Sequence, residues 1–274
     1  PRTCKITGAI HTGQAPSTGS YNSTEQMAQY DKWVFVNCWS YSNKILVIDS
    51  EQDKVVHEIE LRSIQPNSLV VDRNGKLWAL TDGGYAGSEY GQTEPCLYRI
   101  DAATWRVEQE FVFEKEEYPS ELCINGAGDV LYFINDGICK MSVTAAHAPV
   151  RPLIPNERRH QIYGLAVDPT SGEIYVGDAI DFEQPGVVYR YRDTGQSAEL
   201  VDSFGGNATQ RLRIQIGNRH EKDALPARRT ARRRLRRGRT NRHLGTATHH
   251  YAAGGQRPLP REGGARTAHR PELY

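Results

Sequence analysis

Aromatic and acidic residues recur at the ends of apolar runs along the first three quarters of the sequence, and these residue types could bind a ligand. The set comprises Trp39, Tyr41, Asp82, Tyr85, Tyr90, Tyr118, Tyr163, Asp178, Asp181 and Phe182. Aromatic rings offer a large apolar contact area and carboxylates accept hydrogen bonds. The set would therefore suit a large flat ligand with an apolar body and a polar fringe. Two other interpretations stay open, in which the aromatics pack between structural units and the aspartates cap turns.

The residue types that perform covalent chemistry are not grouped in the sequence. It contains no G-x-S-x-G motif, and no histidine lies beside a nucleophile with a carboxylate to orient it. The five cysteines form neither a C-x-x-C pair nor a zinc-like spacing with histidine. Cys123 and Cys139 lie inside apolar runs, which indicates buried free thiols. The sequence therefore favours a binding protein without a cofactor over an enzyme.

A fourfold repeat supplies the elements that must position the candidate ligand residues. The segments 33–36, 77–80, 131–134 and 174–177 are alike, and aligning Phe35, Trp78, Tyr132 and Tyr175 gives spacings of 43, 54 and 43 residues. Apolar alternation, with many β-branched and aromatic residues, marks these segments and the runs around them as strands. Four short strands in about 43 residues are typical of a β-propeller blade.

The repeat predicts an all-β fold, a β-propeller of four-stranded antiparallel blades. The blades are expected at about 24–61, 66–113, 119–154 and 161–204, with a blade remnant at 1–20. The longest spacing contains 11 extra residues, which fall in the segment 82–95 between a second and a third strand. Loops of this length are usually functional. Four blades and a remnant form an arc with open edge strands, which closed propellers avoid, so we interpret the sequence as a fragment.

Propeller topology predicts where the candidate ligand residues meet. Loops from second to third strands, and loops from a fourth strand to the next first strand, lie on one face of a propeller. The loops expected there are 37–43, 82–95, 135–137 and 178–186, with the joining loops 62–66, 115–119 and 158–163. Segments that are distant in sequence are thus expected to present their aromatics and carboxylates together.

The segment 205–274 differs in composition from the rest of the chain. The net charge of +1 is the sum of −12 over residues 1–204 and +13 over residues 205–274, and the segment holds 16 Arg but one Lys, with no Phe or Trp. Three interpretations stay open, namely a reading-frame error, a disordered tail without a partner, and a disordered arm that binds nucleic acid. We favour the first, and so expect a non-globular basic tail, an acidic native domain and no nucleic-acid partner. No run in the sequence has the length and apolarity of a transmembrane segment.

Several stretches of the sequence resemble a known propeller family. They are 23–27, 36–41, 80–85, 97–102, 119–122, 150–152 and 178–181 with 184–191. These stretches resemble the YncE-like seven-bladed propellers and, more closely, the corrinoid-binding surface lipoproteins of gut Bacteroidetes, the BtuG group. The resemblance covers about residues 1–204.

The resemblance implies a complete protein of seven blades, with roughly three blades, an export signal and a lipidated cysteine before this chain. It implies a location on the outer membrane at the cell surface, and a cobalamin or another corrinoid as a bound ligand. It also implies a partner, because such propellers cap a TonB-dependent outer-membrane transporter that receives the ligand. The resemblance does not reach individual ligand contacts, so the site residues remain predictions from their chemistry.

Two other functions stay open for such a propeller. Metal-dependent propeller lactonases hold a metal with acids from their inner strands. The equivalent positions here are Glu25, Ser68, Glu121 and Gly164, of which only Glu25 and Glu121 are acids. A protein-docking scaffold would use the same loops to contact a protein partner instead of a small molecule.

Overall fold

The computed structural model describes residues 5–6, 8–13, 23–39, 42–156 and 161–205. These residues form sixteen β-strands and, within those ranges, no helix. The described chain thus contains no helix long and apolar enough to cross a membrane. The strands form four antiparallel sheets of four strands each, which confirms the predicted all-β propeller class.

The four sheets follow one another along the chain. The first contains β1 (Thr24–Tyr30), β2 (Trp33–Cys38), β3 (Lys44–Asp49) and β4 (Lys54–Glu60). The second contains β5 (Pro66–Val71), β6 (Lys76–Thr81), β7 (Cys96–Asp101) and β8 (Val107–Val112). The third contains β9 (Ser120–Ile124), β10 (Val130–Ile134), β11 (Gly137–Ser142) and β12 (Ile154–Pro155). The fourth contains β13 (Ile162–Val167), β14 (Ile174–Asp178), β15 (Val187–Asp193) and β16 (Ala198–Gly205).

The first strands of the sheets form the inner layer of the fold. Each sheet is a meander in which hairpins join neighbouring strands in sequence order. The first strands β1, β5, β9 and β13 contact one another in turn. Successive meanders with adjacent first strands are the arrangement of propeller blades around an axis.

Three apolar cores lie between successive sheets. Phe35 of the first sheet, Trp78 of the second and Tyr132 of the third each lie in the core shared with the next sheet. All three are at most 4% exposed. Because side chains alternate along a strand, the neighbours of each aromatic face the previous sheet. Both faces of a strand are therefore apolar, which explains why the repeat shows nearly continuous apolar runs.

The first sheet also has a core on its outer face. Val36, Leu46 and Ile48 are buried there, and Ile10 packs against them. Residues 5–6 and 8–13 form no strand, so the described part of the blade remnant predicted at 1–20 contributes apolar contact and no ladder. The rest of that remnant lies outside the described residues.

The fourth strand of the third sheet is shorter than the sequence predicts. The apolar run 150–154 resembles a full strand, yet β12 contains only Ile154 and Pro155. Pro149, Pro152 and Pro155 have no backbone N–H to donate, so this segment cannot form a longer ladder. Leu153 is nevertheless buried in the core shared with the fourth sheet, and the segment keeps the position of a fourth strand.

A polar joint connects the third and fourth sheets. The Tyr132 hydroxyl donates to Oδ2 of Asp193 at 2.7 Å, and Lys140 Nζ lies 2.7 Å from the same oxygen. Lys140 also donates to the carbonyl oxygen of Gly195 at 3.0 Å. Burial alone would raise the pKa of Asp193, but the hydrogen bonds from Lys140, Tyr132 and the Gly195 N–H outweigh it and lower that pKa. The joint is therefore built around an ionised carboxylate.

A glycine in the turn between β9 and β10 permits a close backbone contact between the third and fourth sheets. A Cβ at Gly126 would lie 1.8 Å from the carbonyl oxygen of Pro169 in the fourth sheet's first turn. Non-bonded carbon atoms reach their optimal separation at about 3.5–4.0 Å. The third and fourth sheets can pack this tightly only because residue 126 has no side chain.

Two predicted features lie outside the described residues. One is Tyr41, a candidate ligand residue, and the other is the segment 206–274 of the predicted tail. The division of the chain into a propeller at 1–204 and a tail at 205–274 therefore stays a prediction. The four described cysteines are free thiols, of which Cys139 is buried as predicted and Cys123 is half-buried.

Candidate ligand-binding face

All loops that follow second and fourth strands lie at one end of the sheets. The start of each first strand pairs with the end of the second strand, as in Thr24 with Cys38, Pro66 with Thr81, Ser120 with Ile134, and Ile162 with Asp178. We define the loop face as the described residues of 39–43, 61–65, 82–95, 113–119, 135–136, 156–161 and 179–186, together with residues 25–26, 67, 121–122 and 163 at the adjoining ends of the first strands. This is the face on which the sequence places the candidate ligand residues.

Each first strand carries a one-residue bulge where it reaches the loop face. The bulges lie at 25–26 in β1, at 67 in β5, at 121–122 in β9 and at 163 in β13. A bulge bends its strand and redirects the side chains near it, and bulges are frequent beside functional sites. Glu121 has a φ of 56°, a left-handed conformation that is uncommon for residues other than glycine.

The bulges introduce one difference from the repeat alignment of the inner strands. The residues that pair with the aligned aromatics of the second strands are Ala28, Val70, Cys123 and Ala166. Counted back from these partners, Ser68, Glu121 and Gly164 each lie two residues away, whereas Glu25 lies three residues away. The strand register therefore agrees with the sequence alignment of Ser68, Glu121 and Gly164, and it offsets Glu25 by one residue.

Carboxylates interact electrostatically across the first three sheets at this face. Partial desolvation, followed by the negative charge of Asp82, raises the pKa of Glu25. Burial, followed by the charge of Glu25, raises the pKa of Glu121. Of the two glutamates considered as weak metal ligands, Glu25 therefore contributes to the raised pKa of Glu121. Among the residues that the structure describes, however, no group of three or more His, Cys, Asp or Glu is placed to hold a metal ion.

The long loop 82–95 is held in place by backbone hydrogen bonds. Asp82 N donates to the carbonyl of Gln65 at 3.2 Å, and Gly83 N donates to the carbonyl of Ile64 at 3.1 Å. Gln65 N in turn donates to the carbonyl of Ser42 at 2.7 Å, in the loop of the first sheet. Three loops are thus joined into one backbone network, which is an arrangement suited to preorganised binding.

Buried hydroxyl groups reinforce the base of the same loop. Thr81 Oγ1 donates to Ser63 Oγ at 2.7 Å, and Cys96 N donates to Thr81 Oγ1 at 2.9 Å. The Tyr98 hydroxyl accepts from Ser63 N at 2.9 Å, and Thr93 Oγ1 accepts from Ile64 N at 3.0 Å. Because Ser63, Thr81 and Tyr98 are fully buried, water does not compete for their hydrogen-bonding groups, and each hydrogen bond is stronger than it would be at the surface.

The described aromatic residues predicted for ligand binding are exposed on the loop face. Trp39 and Tyr85 are 39% exposed, Tyr90 and Tyr118 are 41% exposed, and Phe182 and Tyr163 are 65% and 69% exposed. Aromatic residues in the cores between the sheets, such as Trp78 and Tyr98, are fully buried. Exposed aromatics collected on one face are typical of an interaction site.

Trp39 and Asp82 bring the first and second sheets together at this face. The indole Nε1 of Trp39 donates to Oδ2 of Asp82 at 3.4 Å, while the other carboxylate oxygen of Asp82 accepts from Gly84 N at 2.9 Å. Asp82 therefore caps the turn at the start of the long loop and also orients an exposed indole. Asp82 thus caps a turn, as one interpretation of the sequence expected, and it also contacts an exposed aromatic residue at the loop face.

The loop 179–186 of the fourth sheet has two of its apolar residues in the left-handed region. Ile180 has a φ of 56° and Phe182 a φ of 65°. Oδ1 of Asp178 accepts from Ile180 N at 2.9 Å, and Asp178 is buried. The ring of Phe182 meets the ring of Tyr163 edge to face, with centroids 5.3 Å apart and an interplanar angle of 89°.

Sequence reasoning selected Phe182, Asp178 and Asp181 but missed Ile180, which is 37% exposed beside them. An isoleucine in a loop carries no signal of a left-handed backbone, because that conformation is disfavoured for β-branched residues. Asp181 accepts from Glu183 N at 3.0 Å and from Gln184 N at 2.8 Å. These bonds, together with one from the Gln184 side chain, lower the pKa of Asp181.

Comparison with known sequences gives one family. The family described as "Domain of unknown function (DUF5074)" matches residues 5–188, which is more than half of the chain. No functionally curated protein matches the chain.

Several solved structures are similar to the chain. A chain from the crystal structure of the mitotic checkpoint complex matches with 9% identity and a TM-score of 0.50, covering 68% of this chain and 55% of that one. A quinonprotein alcohol dehydrogenase-like protein from Bacteroides thetaiotaomicron matches with 16% identity and a TM-score of 0.48, covering 65% of this chain and 46% of that one. The Dos1 propeller matches with 14% identity and a TM-score of 0.45, covering 62% and 42%. The chain spans about half the length of these structures, and at such identities the similarity concerns the fold alone.

Proposed function

We propose that this chain, which belongs to the DUF5074 family, is a non-enzymatic ligand-binding β-propeller whose loop face captures a corrinoid such as cobalamin. One observation carries the proposal. Six candidate aromatics from the loops and strand ends at one end of the sheets are exposed, while core aromatics such as Phe35, Trp78, Tyr98 and Phe133 are fully buried. Hydrogen bonds between the loops of the first and second sheets hold part of this face in place.

The chemistry of the loop face supports a large amphipathic ligand. Exposed rings offer stacking surfaces for an apolar ring system. The carboxylates of Glu25, Asp82 and Glu121 are acceptors for N–H donors, and a corrin ring carries amide groups at its periphery. Burial, and after it the negative charge of Asp82 or Glu25, raises the pKa values of Glu25 and Glu121. The negative charge at these carboxyl groups disfavours anionic ligand groups beside them.

The cellular setting is part of the same proposal and is supported by the resemblance to surface lipoproteins. We propose that the complete protein has further blades, is exported and lipidated, and lies on the outer membrane. Its partner would be a TonB-dependent transporter that receives the corrinoid.

Calorimetric titration of the purified chain with cyanocobalamin tests the proposal. We expect binding that weakens about tenfold or more in Trp39→Ala and in Tyr85→Ala, because exposed aromatic anchors carry a large share of binding energy. Val56→Ala is the matched control, since Val56 is 38% exposed but lies in β4, away from the loops. Neither binding heat nor retention on a cobalamin resin by the wild-type chain would reject the corrinoid assignment.

A metal-dependent hydrolase of the lactonase type is the second candidate. The electrostatic coupling between Glu25 and Glu121 favours it, because a cation would relieve the repulsion between two carboxylates. The described residues provide no third ligand, so this candidate has less support. Lactone turnover that requires a divalent cation and disappears in Glu25→Ala would establish it in place of the binding protein.

A further inference from the structure

The loop 179–186 keeps two apolar side chains in a conformation that L-residues avoid. Ile180 and Phe182 both have φ values near 60°, where the Cβ atom crowds the backbone and only glycine is comfortable. A β-branched residue in this region is a genuine outlier. Strained residues persist only where the surrounding structure enforces them, and they concentrate at ligand-binding sites.

The surrounding hydrogen bonds of this loop explain how the strain is maintained. Oδ1 of Asp178 accepts from Ile180 N at 2.9 Å, and Phe182 N donates to the carbonyl of Ala179 at 2.9 Å. Both carboxylate oxygens of Asp181 are used within the loop, by Glu183 N, Gln184 N and Nε2 of Gln184 at 2.7–3.0 Å. The carboxylates of Asp178 and Asp181 therefore hold the loop backbone in its conformation by accepting hydrogen bonds from its N–H groups.

The side chains that this strained backbone positions are exposed in the described part of the chain. Ile180 and Phe182 are 37% and 65% exposed, and their neighbour Tyr163 is 69% exposed. Tyr163 occupies the bulge of β13 and meets Phe182 edge to face. Two independent backbone irregularities, a bulge and a strained loop, thus bring two aromatic rings to the same place on the loop face.

We infer that Tyr163, Ile180 and Phe182 form an apolar clasp that takes the flat, uncharged part of the ligand, and that Asp178 and Asp181 are positioning residues that do not contact it. The inference rests on the proposed ligand-binding function, because it assigns one part of the ligand to one part of the loop face. The acidic side chains of Asp181 and Glu183 in this loop disfavour an anionic group. The polar groups at the edge of the ligand would bind the carboxylates of Glu25, Asp82 and Glu121 in the first three sheets.

Phe182→Gly in the full chain separates a binding role from a structural role. Glycine adopts the local φ without strain, so the thermal unfolding midpoint should stay the same or rise. Binding of cyanocobalamin should weaken at least tenfold, and so should binding of Nile red, a flat uncharged dye that reports an apolar surface without requiring a corrin. The matched control is Asp53→Gly, which relieves a φ of 52° in the β3–β4 turn at the opposite end of the first sheet and should leave both probes within twofold of wild type.

A second pair of variants tests the positioning role of Asp181. Asp181→Ala removes the acceptors of the loop N–H groups and should weaken binding of both probes. Asp181→Asn keeps an oxygen that can accept from Glu183 N and Gln184 N, so it should restore most of the affinity. Failure of the asparagine variant to restore binding would show that the carboxylate itself contacts the ligand, and would overturn the positioning role.

The outcomes distinguish the clasp from the proposed function. Cyanocobalamin binding that Phe182→Gly leaves unchanged would overturn the clasp while the corrinoid function stands. Nile red binding that is lost in Phe182→Gly, in a chain that never binds cyanocobalamin, would support the clasp and reject the corrinoid. A wild-type chain that binds neither probe, or a Phe182→Gly chain that only loses stability, would overturn the clasp.

Discussion

Replacing Tyr132 with Phe removes a single oxygen atom from the joint between the third and fourth sheets. That oxygen donates to Asp193 at 2.7 Å, and the Asp193 side chain is only 15% exposed. Hydrogen bonds to charged groups contribute about 1.5–3 kcal/mol, and the phenyl ring keeps the apolar contacts of the buried tyrosine. We therefore expect Tyr132→Phe to lower the free energy of unfolding by about 2 kcal/mol.

The fourth sheet offers a matched control for this change. Tyr175 pairs with Arg190 in the register that Tyr132 and Lys140 occupy in the third sheet. Its hydroxyl lies 3.4 Å from a carboxylate oxygen of Glu173, at the long limit of a hydrogen bond. Tyr175→Phe should therefore lower the free energy of unfolding by less than about 0.5 kcal/mol.

The cost of Tyr132→Phe should depend on pH in a defined direction. The pKa of Asp193 is lower in the folded protein than its ordinary value, which is about 3.9 for an unfolded chain. The stability that its charge contributes is fully present above that value and is lost as the pH falls through the lower folded pKa. The difference between wild type and Tyr132→Phe should be constant from pH 7 to about pH 5 and shrink below about pH 4.

Urea denaturation followed by tryptophan fluorescence measures these differences, and urea avoids the ionic screening that guanidinium chloride adds. The reasoning would be refuted if Tyr132→Phe and Tyr175→Phe had equal costs at pH 7. It would also be refuted if the cost of Tyr132→Phe stayed constant down to pH 3.

Three further predictions concern the sheets and the loop base. Gly126→Ala should lower the unfolding midpoint strongly or prevent folding, because its Cβ would meet the Pro169 carbonyl at 1.8 Å, whereas Gly164→Ala should be tolerated because no atom lies within 4 Å of its Cβ. Thr81→Val should cost about 1–3 kcal/mol in urea denaturation, because it removes the acceptor that Cys96 N uses in a fully buried site. Labelling of the four described thiols at pH 8 should be slow in the folded chain and fast in urea. Burial raises the pKa values to about 11 or 12 for the thiols of Cys38, Cys96, Cys123 and Cys139, and equal rates in both states at these four residues would contradict this.

The blade repeat could be read from the sequence because its physical basis is periodic. The first three sheets have apolar cores on both faces, so the aligned aromatics Phe35, Trp78 and Tyr132 and their neighbours are all apolar. Strand topology then places the loops on one face without any further information. The exposed positions of Trp39 and Tyr85 follow from that placement.

The details of the site could not be read in the same way. The one-residue bulges at Asn67 and Tyr163 depend on the hydrogen-bond register between strands. The spacing of residue types in the sequence does not show that register. The left-handed backbone of Ile180 contradicts the local preference of isoleucine. The shortness of β12 follows from Pro152 and Pro155, whose missing donors an apolar pattern does not reveal.

The bulges at the loop end of β1, β5, β9 and β13 divide each first strand into a short segment at the loop face and a longer segment that packs between the sheets. Residues after the bulge keep the alternation that packs one sheet against the next, while Glu25, Asn67, Glu121 and Tyr163 lie at the register break itself. None of these four residues belongs to the apolar cores between the sheets, although Asn67 Nδ2 donates to the carbonyl oxygen of Pro119 at 2.8 Å. Under the proposed binding function, ligand preference can therefore change through Glu25, Glu121 and Tyr163 while the apolar cores keep their residues, and a laboratory library restricted to these three positions would measure that change.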